Sequence, residues 1–373
     1  MAGQITHIIA GEAALEWASP ESGAAILRKQ GPAFRLGCQG PDIFYHNQRT
    51  KPSGLHYGAL AHRRDYGRIV EGAALALPAG RLRPETPAGA YLLGLATHAA
   101  VDRSTHPFIV FYSSWADPSR PGTERYRSCH PFFERILDIG LLAKRRGLEP
   151  WEFDMEALMA PLAPPLAPQA EEGGESEQRR VDEELVALWA SGLRRAFPRS
   201  AGGDFLLERR VANALEDARH FMRITNPART AMRPDQEDWF AYLDDRVGPR
   251  SIALVYPDRL PPGIDLEKLG SEGWEHPSGD GRRSTATYFE LVEAAIAEIG
   301  PILRRVLSAL ESEEWDAGLA EAIGNGGLSI NDLEGKPLAP RLSRPLPLPE
   351  FMAEEYAARL EWARRAARGV SRH

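Results

Sequence analysis

The spacing of apolar and polar positions along this chain predicts helices almost throughout. Residues 86–102 are nearly all apolar, which is typical of a helix buried on most of its sides. Five further segments repeat apolar residues three and four positions apart, as amphipathic helices do: 131–145, 181–197, 204–224, 284–310 and 351–368. The alternation typical of strands is weak and is confined to 251–256. We therefore predict an all-α fold.

Three irregular segments interrupt the predicted helices. Residues 159–180 are rich in Pro and Ala and then in Gly and acidic residues, which predicts a flexible excursion. Segments 257–283 and 324–349 contain several Gly and Pro and predict long loops. A chain of 373 residues exceeds the usual size of one domain. We expect a multi-helix domain over 1–300 and a helical C-terminal extension over 301–373.

Composition narrows the classes of function. The formal net charge of −7 disfavours a general nucleic-acid coat or a general anionic-membrane binder, although the abundant Arg allows local basic patches. With two cysteines, Cys38 and Cys129, the chain has neither a disulfide framework nor a CxxC zinc site. The first residues do not resemble a leader peptide, and no stretch of about 18 apolar residues could cross a bilayer. We expect a cytoplasmic protein.

Two histidine–carboxylate pairs indicate chemistry. His98 precedes Asp102 by four residues in the apolar segment 86–102, and His130 precedes Glu134 by four. Side chains four apart share one face of a helix. Burying an Asp among apolar residues costs on the order of several kcal/mol unless a charge or a metal compensates. The two members of one such pair can bond to each other without a metal, but two pairs favour a centre that binds divalent metal ions.

Four further residues extend this set. His106 precedes Pro107, and because proline disfavours helical geometry in the residue before it, we place His106 just past the end of the buried helix. Asp42 ends a Gly-Pro-Asp turn, where it is either a ligand or an ordinary turn or capping residue. His7 and His56 complete the candidates.

These features resemble the bacterial zinc-dependent phospholipase C family in their order along the chain: His7, the Gly-Pro-Asp turn at 40–42, His56, the His98–Asp102 pair, His106-Pro107 and the His130–Glu134 pair. The resemblance covers roughly residues 1–300 and is strongest over 1–140. That family is all-helical and shares its ligands with zinc-dependent single-strand nucleases and 3′-nucleotidases. The resemblance implies a zinc-dependent phosphodiesterase that binds two to three zinc ions and acts on a small-molecule or lipid phosphoester.

The resemblance also implies how the ligands are divided. One zinc would take Asp42, His56, His98 and Asp102; a second would take His106, His130 and Glu134; a third would take His7 with Asp102 as a bridge. A metal-activated hydroxide would attack the phosphoester, with Asp42 as the catalytic residue that orients or deprotonates it.

Two details of this assignment depend on the family pattern. Relatives complete the third zinc site with a terminal amine, which Ala2 would supply here after removal of Met1. The family spacing from Asp42 favours His56 over His62, so we interpret His62, like His46, as a surface or capping residue.

Alternatives remain at this level. The same zinc cluster would serve a single-strand nuclease or 3′-nucleotidase, and a helical scaffold could bind zinc without catalysis. A phosphohydrolase with an adjacent His-Asp dyad is disfavoured because no His is directly followed by Asp. Four aromatic residues near the ligands could line a pocket for a cationic headgroup or a base, or belong to the core: Phe44, Tyr45, Tyr57 and Tyr66.

Overall fold

The computed structural model describes residues 3–78, 80–159, 172–231, 252–312, 314–315 and 318–370. Most of these residues are helical, so the predicted all-α fold is confirmed. The helices are α1 Gln4–Ala18, α2 Pro20–Cys38, α3 Asp42–Tyr45, α4 Leu55–Arg63, α5 Tyr66–Ala74, α6 Pro87–Ser113, α7 Cys129–Arg146, α8 Met155–Met159, α9 Glu172–Ala196, α10 Pro198–Ala201, α11 Leu207–Ile224, α12 Pro227–Thr230, α13 Tyr288–Ser312, α14 Leu319–Ile323 and α15 Leu348–Val370.

The regular structure outside these helices is short. Single 3₁₀ turns form at Glu124–Tyr126 and Pro150–Glu152. Strands β1 (Trp274–Glu275) and β2 (Arg283–Ser284) pair antiparallel, with Trp274 opposite Ser284. None of the helices in the described ranges is both long and apolar enough to cross a membrane.

Helix α6 lies at the centre of the packing. It contacts α1, α2, α5, α7, α9 and α13, and most of its side chains are buried, as the apolar segment predicts. Gly37 of α2 and Gly94 of α6 permit a close crossing, because a Cβ at either position would lie about 2 Å from a backbone oxygen of the other helix. This crossing places the C-terminus of α2 beside the middle of α6.

The end of α6 differs from the prediction. The helix continues through Pro107 to Ser113, so His106 lies inside it rather than past its end. A proline in a helix interior costs roughly 3 kcal/mol. The side chains that follow it, including Phe108, Ile109 and Tyr112, are almost fully buried, and their burial exceeds that cost.

Other boundaries are partly as expected. The predicted strand is wrong over 252–256, which forms turns, and residue 251 lies outside the described residues. Much of the predicted excursion, 160–171, also lies outside them, and the chain is helical from Glu172 onward. Segment 324–347 is irregular, as predicted, and the last helix begins at Leu348, so the loop ends two residues before its predicted end. Helix α13 runs without a break through position 300, where we expected the main domain to end.

Candidate metal centre

Three predicted ligands form a row on α6. His98, Asp102 and His106 are spaced by four residues and therefore project from one face of the helix. Their exposed fractions are 0%, 1% and 9%. Polar side chains this deeply buried in a helix need partners, and two clusters of side chains from other segments provide them.

The first cluster contains Asp42, His62, His98 and Asp102, each with a ligand atom within 4.8 Å of the others. His62 Nε2 lies 2.9 Å from Asp42 Oδ1 and 3.8 Å from Asp102 Oδ2. His98 Nε2 lies 3.4 Å from Asp102 Oδ2 and 3.9 Å from Asp42 Oδ1. Two imidazoles and two carboxylates thus converge on one point.

The second cluster contains His106, His130 and Glu134. The Nε2 atoms of His106 and His130 are 3.1 Å apart, and His130 Nε2 lies 2.8 Å from Glu134 Oε1. His130 and Glu134 stand one turn apart at the start of α7, as their spacing predicts. The His130 side chain is 27% exposed, so this cluster opens toward solvent.

His7 of α1 lies beside His98 and faces the other oxygen of Asp102. Its Nε2 lies 3.4 Å from Asp102 Oδ1, and its ring stacks on that of His98 with centroids 4.2 Å apart. The two oxygens of Asp102 therefore face different histidines, as a bridging carboxylate requires. The proposed terminal amine of Ala2 lies outside the described residues.

Predicted ligand His56 does not join either cluster, and this assignment is corrected to His62. Both histidines belong to α4, but they are six residues apart, which turns their side chains about 240° from each other around the helix. His62 faces Asp42, whereas His56 is exposed and packs against the ring of Tyr57. A sequence spacing shared with a family did not fix the direction of the side chain.

The other histidines that the structure describes, and the four aromatic candidates, lie outside the two clusters. His46 stacks on Phe221, and burial lowers its pKa to about 4. Three of the four aromatic candidates are core residues with no exposed surface: Phe44, Tyr57 and Tyr66. Tyr45 is half-buried, and its ring centroid lies 4.7 Å from that of His62, so it is the candidate that borders the centre.

Backbone and hydroxyl groups orient three of the imidazoles. The Nδ1 atoms of His62 and His98 lie 2.8 Å and 3.1 Å from the carbonyl oxygens of Gly58 and Cys38. His106 Nδ1 lies 2.5 Å from the Ser329 hydroxyl. The carbonyl oxygens can only accept, so they place the proton of His62 and His98 on Nδ1 and leave the lone pair of Nε2 directed into the cluster, which is how ligand histidines are held in metal sites.

The pKa directions of four clustered residues also suit metal binding. Burial alone favours the neutral acid, but the imidazoles of His98 and His62 lower the pKa of Asp42. Burial is likewise outweighed at Asp102, where His98 and His7 lower the pKa of the carboxyl group. Burial lowers the pKa of His98 and, more strongly, that of His106. Ionised carboxylates and neutral imidazoles are the protonation states that bind divalent metals.

Residues of α7 hold the start of α1 in place. The carboxylate of Asp138 accepts hydrogen bonds from the backbone amides of Ile5 (3.1 Å) and Thr6 (2.8 Å) and from the hydroxyl of Tyr256 (3.0 Å). The first amides of a helix lack partners within the helix, and here a side chain from another helix supplies one. Because Asp138 follows Glu134 by one turn, it fixes α1, and hence His7, relative to the second cluster.

A distant loop completes the centre. The guanidinium of Arg103 donates hydrogen bonds to the carbonyls of Ile323 (2.6 Å) and Gly324 (2.9 Å). The loop that follows donates from the amide of Leu328 to the carbonyl of His62 (2.9 Å) and presents Ser329 to His106. No local spacing predicts this role, because Ser329 lies more than 200 residues from His106 along the chain.

The donor set fits zinc. Tetrahedral zinc with bonds of ~2.0–2.2 Å places its ligand atoms about 3.3 Å apart, close to the observed separations. His7 Nδ1 is buried without a hydrogen bond to any described residue, and His7 Nε2 has only the long contact of 3.4 Å with Asp102. Such atoms cost roughly 1–3 kcal/mol each unless a ligand satisfies them. Imidazole and carboxylate donors suit zinc, and the nearby Cys38 is no competitor because burial raises the pKa of its thiol to about 12.

Comparisons of the chain with protein-family models, with curated proteins and with solved structures found no match. The geometry of the centre is therefore the basis for proposing a function.

Proposed function

We propose that the protein is a zinc-dependent phosphoric ester hydrolase, most closely a phosphodiesterase of the phospholipase C type. The observation that carries the proposal is the row on α6, which joins two ligand clusters through consecutive turns of one helix. Asp102 belongs to the first cluster and His106 to the second, so the clusters are neighbours. Adjacent metal sites are the usual arrangement in enzymes that hydrolyse phosphoesters.

The residues of the centre have distinct roles in this proposal. Zinc ions bound there would supply Lewis acidity to the phosphoester and make water nucleophilic at neutral pH. Asp42 is ionised and is held by His62, so it can accept a hydrogen bond from the attacking water and orient it. The exposed edge of His130 marks the side from which a phosphoester reaches the centre. Tyr45, beside His62, borders the position of the group attached to the phosphate.

The proposal is tested by elemental analysis and turnover of protein purified without a histidine tag. We expect at least two zinc ions per chain and hydrolysis of a chromogenic phosphocholine ester. His62→Ala should lower zinc content and reduce turnover by about a hundredfold or more, because it removes a ligand. His56→Ala is the matched control on the same helix, and it should retain both properties.

Two outcomes would contradict the proposal. Bound zinc without turnover of any phosphoester would indicate a structural metal site. Equal loss of zinc in the His56 and His62 variants would contradict the assignment of the first cluster. A panel of phospholipids, 3′-nucleotides and single-stranded nucleic acid then identifies the preferred phosphoester, and a preference for nucleic acid would replace the phospholipase-type activity with a nuclease.

A further inference from the structure

An aromatic side chain projects from a tightly held turn at residues 202–206, the Phe205 turn. Phe205 is 90% exposed and Leu206 is 36% exposed. The carboxylate of Asp204 fixes the turn, because it accepts hydrogen bonds from the Tyr57 hydroxyl (2.8 Å), Arg210 Nε (2.9 Å) and the amide of Leu206 (3.0 Å). The chain thus holds a large apolar side chain in water on a turn that hydrogen bonds keep in place.

Helix α4 extends this apolar surface toward the metal centre. The Tyr57 hydroxyl donates to Asp204 of the turn, and Arg210, which also donates to Asp204, donates to the carbonyl of Ser53 (2.7 Å), so Leu55 lies between two residues tied to the Phe205 turn or to Arg210. Leu55 is 43% exposed, and Ala59 and Arg63 follow it at spacings of four, both exposed. The strip Leu55–Ala59–Arg63 therefore runs along one face of α4 and ends beside His62.

The charge around the turn is opposite in sign to that of the whole chain. Residues 194–210 contain five arginines and two acidic residues, in a chain whose net charge is −7. Both acids are paired, since Glu208 lies 2.5 Å from Arg194 and Asp204 lies 2.9 Å from Arg210. Among the described residues Arg199, Arg209 and Arg63 are exposed and form no ion pair.

We propose that the Phe205 turn and the exposed strip of α4 form a docking surface for an anionic lipid bilayer, with Phe205 and Leu206 entering the acyl region. A few protruding apolar residues ringed by arginines suit the boundary between acyl chains and headgroup phosphates. They are too few for a stable protein interface, which buries about 1,200–2,000 Å² in total. Binding of the bilayer does not depend on the proposed hydrolase function, but delivery of a lipid phosphoester to the metal centre rests on it.

Sedimentation with vesicles tests the docking surface. We expect the protein to bind vesicles of phosphatidylcholine mixed with phosphatidylglycerol and to bind pure phosphatidylcholine vesicles less. Phe205→Ala should weaken binding to the mixed vesicles by about tenfold, because a phenylalanine is no longer buried in lipid. Replacing Arg199 and Arg209 together by Gln should weaken it by roughly 20-fold, and added salt should abolish the difference.

Matched variants outside the surface are the controls. Leu75→Ala removes a leucine that is 53% exposed at the end of α5, and Arg28→Gln removes an exposed arginine of α2. Both should bind vesicles as the unaltered protein does. In Phe205→Trp, tryptophan emission should shift to shorter wavelength on addition of mixed vesicles, which reports entry of this position into lipid.

Each result decides the proposal. Absence of vesicle binding, equal weakening by Leu75→Ala, or binding of single-stranded nucleic acid instead of vesicles would overturn the docking surface. Turnover of a soluble phosphocholine ester separates this question from the proposed function. If vesicles bind but no ester is hydrolysed, the hydrolase fails and the surface stands; if the ester is hydrolysed without vesicle binding, the reverse holds.

Discussion

At the scale of single residues, the centre depends on the two ring nitrogens of each imidazole, which have different partners. One ring nitrogen is fixed by the chain, and the other is left for the cluster. Backbone carbonyls fix His62 and His98, but the hydroxyl of Ser329 fixes His106. A side-chain partner can be removed by substitution, so the contribution of this fixation is measurable at His106.

Ser329→Ala should weaken zinc binding at the second cluster by about 10–100-fold, the usual cost of losing a partner of a ligand histidine. Binding at the first cluster should change little, because none of its ligands contacts Ser329. Competition with a chelator measures the two affinities. Ser329→Thr, which keeps a hydroxyl, should restore most of the loss. Ser343→Ala is the control, since Ser343 pairs with Ser114 away from the clusters; an equal loss there would contradict the assigned role.

The sequence predicted six of the seven residues of the two clusters, together with His7 beside them, and erred at His62. Pairs four apart on a helix share a face whatever the fold, so His98–Asp102 and His130–Glu134 were predictable. Choosing between His56 and His62 required the orientation of α4 about its axis. That orientation is set by core packing of Tyr57 and Ala61, which no local spacing reveals.

At the scale of elements, the position of His7 depends on how the start of α1 is held. His7 is the third histidine beside Asp102, after His62 and His98. Asp138 holds the first amides of α1, and Arg135 supports the same network by donating to Gln4 Oε1 (3.0 Å) and to the Tyr256 hydroxyl (2.6 Å). All of these groups are buried. His7 directly follows Ile5 and Thr6, whose amides Asp138 holds, so a shift of the first turn of α1 also moves His7.

Asp138→Asn should lower the free energy of unfolding by about 2–4 kcal/mol, because an amide accepts fewer of these hydrogen bonds and leaves Arg135 without its carboxylate. It should also reduce zinc bound through His7 at temperatures where the variant is folded. Urea denaturation and elemental analysis measure the two effects. Asp217→Asn is the control, since Asp217 is as deeply buried and accepts from the amides of Arg49 and Thr50. Equal zinc loss in both variants would contradict a specific role for Asp138.

At the scale of the whole molecule, the segment after residue 300 belongs to the centre. Arg103 holds its loop, the loop bonds to the last turn of α4, and Ser329 reaches the second cluster. The helical pattern predicted helices in this segment but not their position, because long-range contacts depend on many weak interactions together. The fold class was therefore predictable from periodicity, whereas the contribution of this loop was not.

Stability of the metal-free protein should fall as the pH drops below about 6.5. Burial lowers the pKa of His98 and His106, so the unfolded chain binds these protons more tightly than the folded chain. Protonation consequently favours unfolding over the range between the folded and unfolded pKa values. Asp42 and Asp102 reduce the stability further only below about pH 4, because their pKa values in the folded protein are lower than the ordinary value for an aspartate.

Thermal unfolding with and without a chelator, from about pH 8 to about pH 5, measures this dependence. Zinc should raise the transition temperature most near neutral pH and progressively less in acid, because protons compete for the same nitrogens. A metal-free transition temperature that stays constant or rises as the pH falls would contradict the buried neutral state of these histidines.

The ligand row on α6 also bears on which genetic changes the chain tolerates. Adding or deleting one residue between His98 and His106 turns every later side chain by about 100°, which separates the clusters whatever residue is added. Substitutions at the other faces of α6 leave the row intact. Natural variants of this helix should therefore differ by replacement and not by length, while the exposed segment between Ser114 and Ser128 can vary in both.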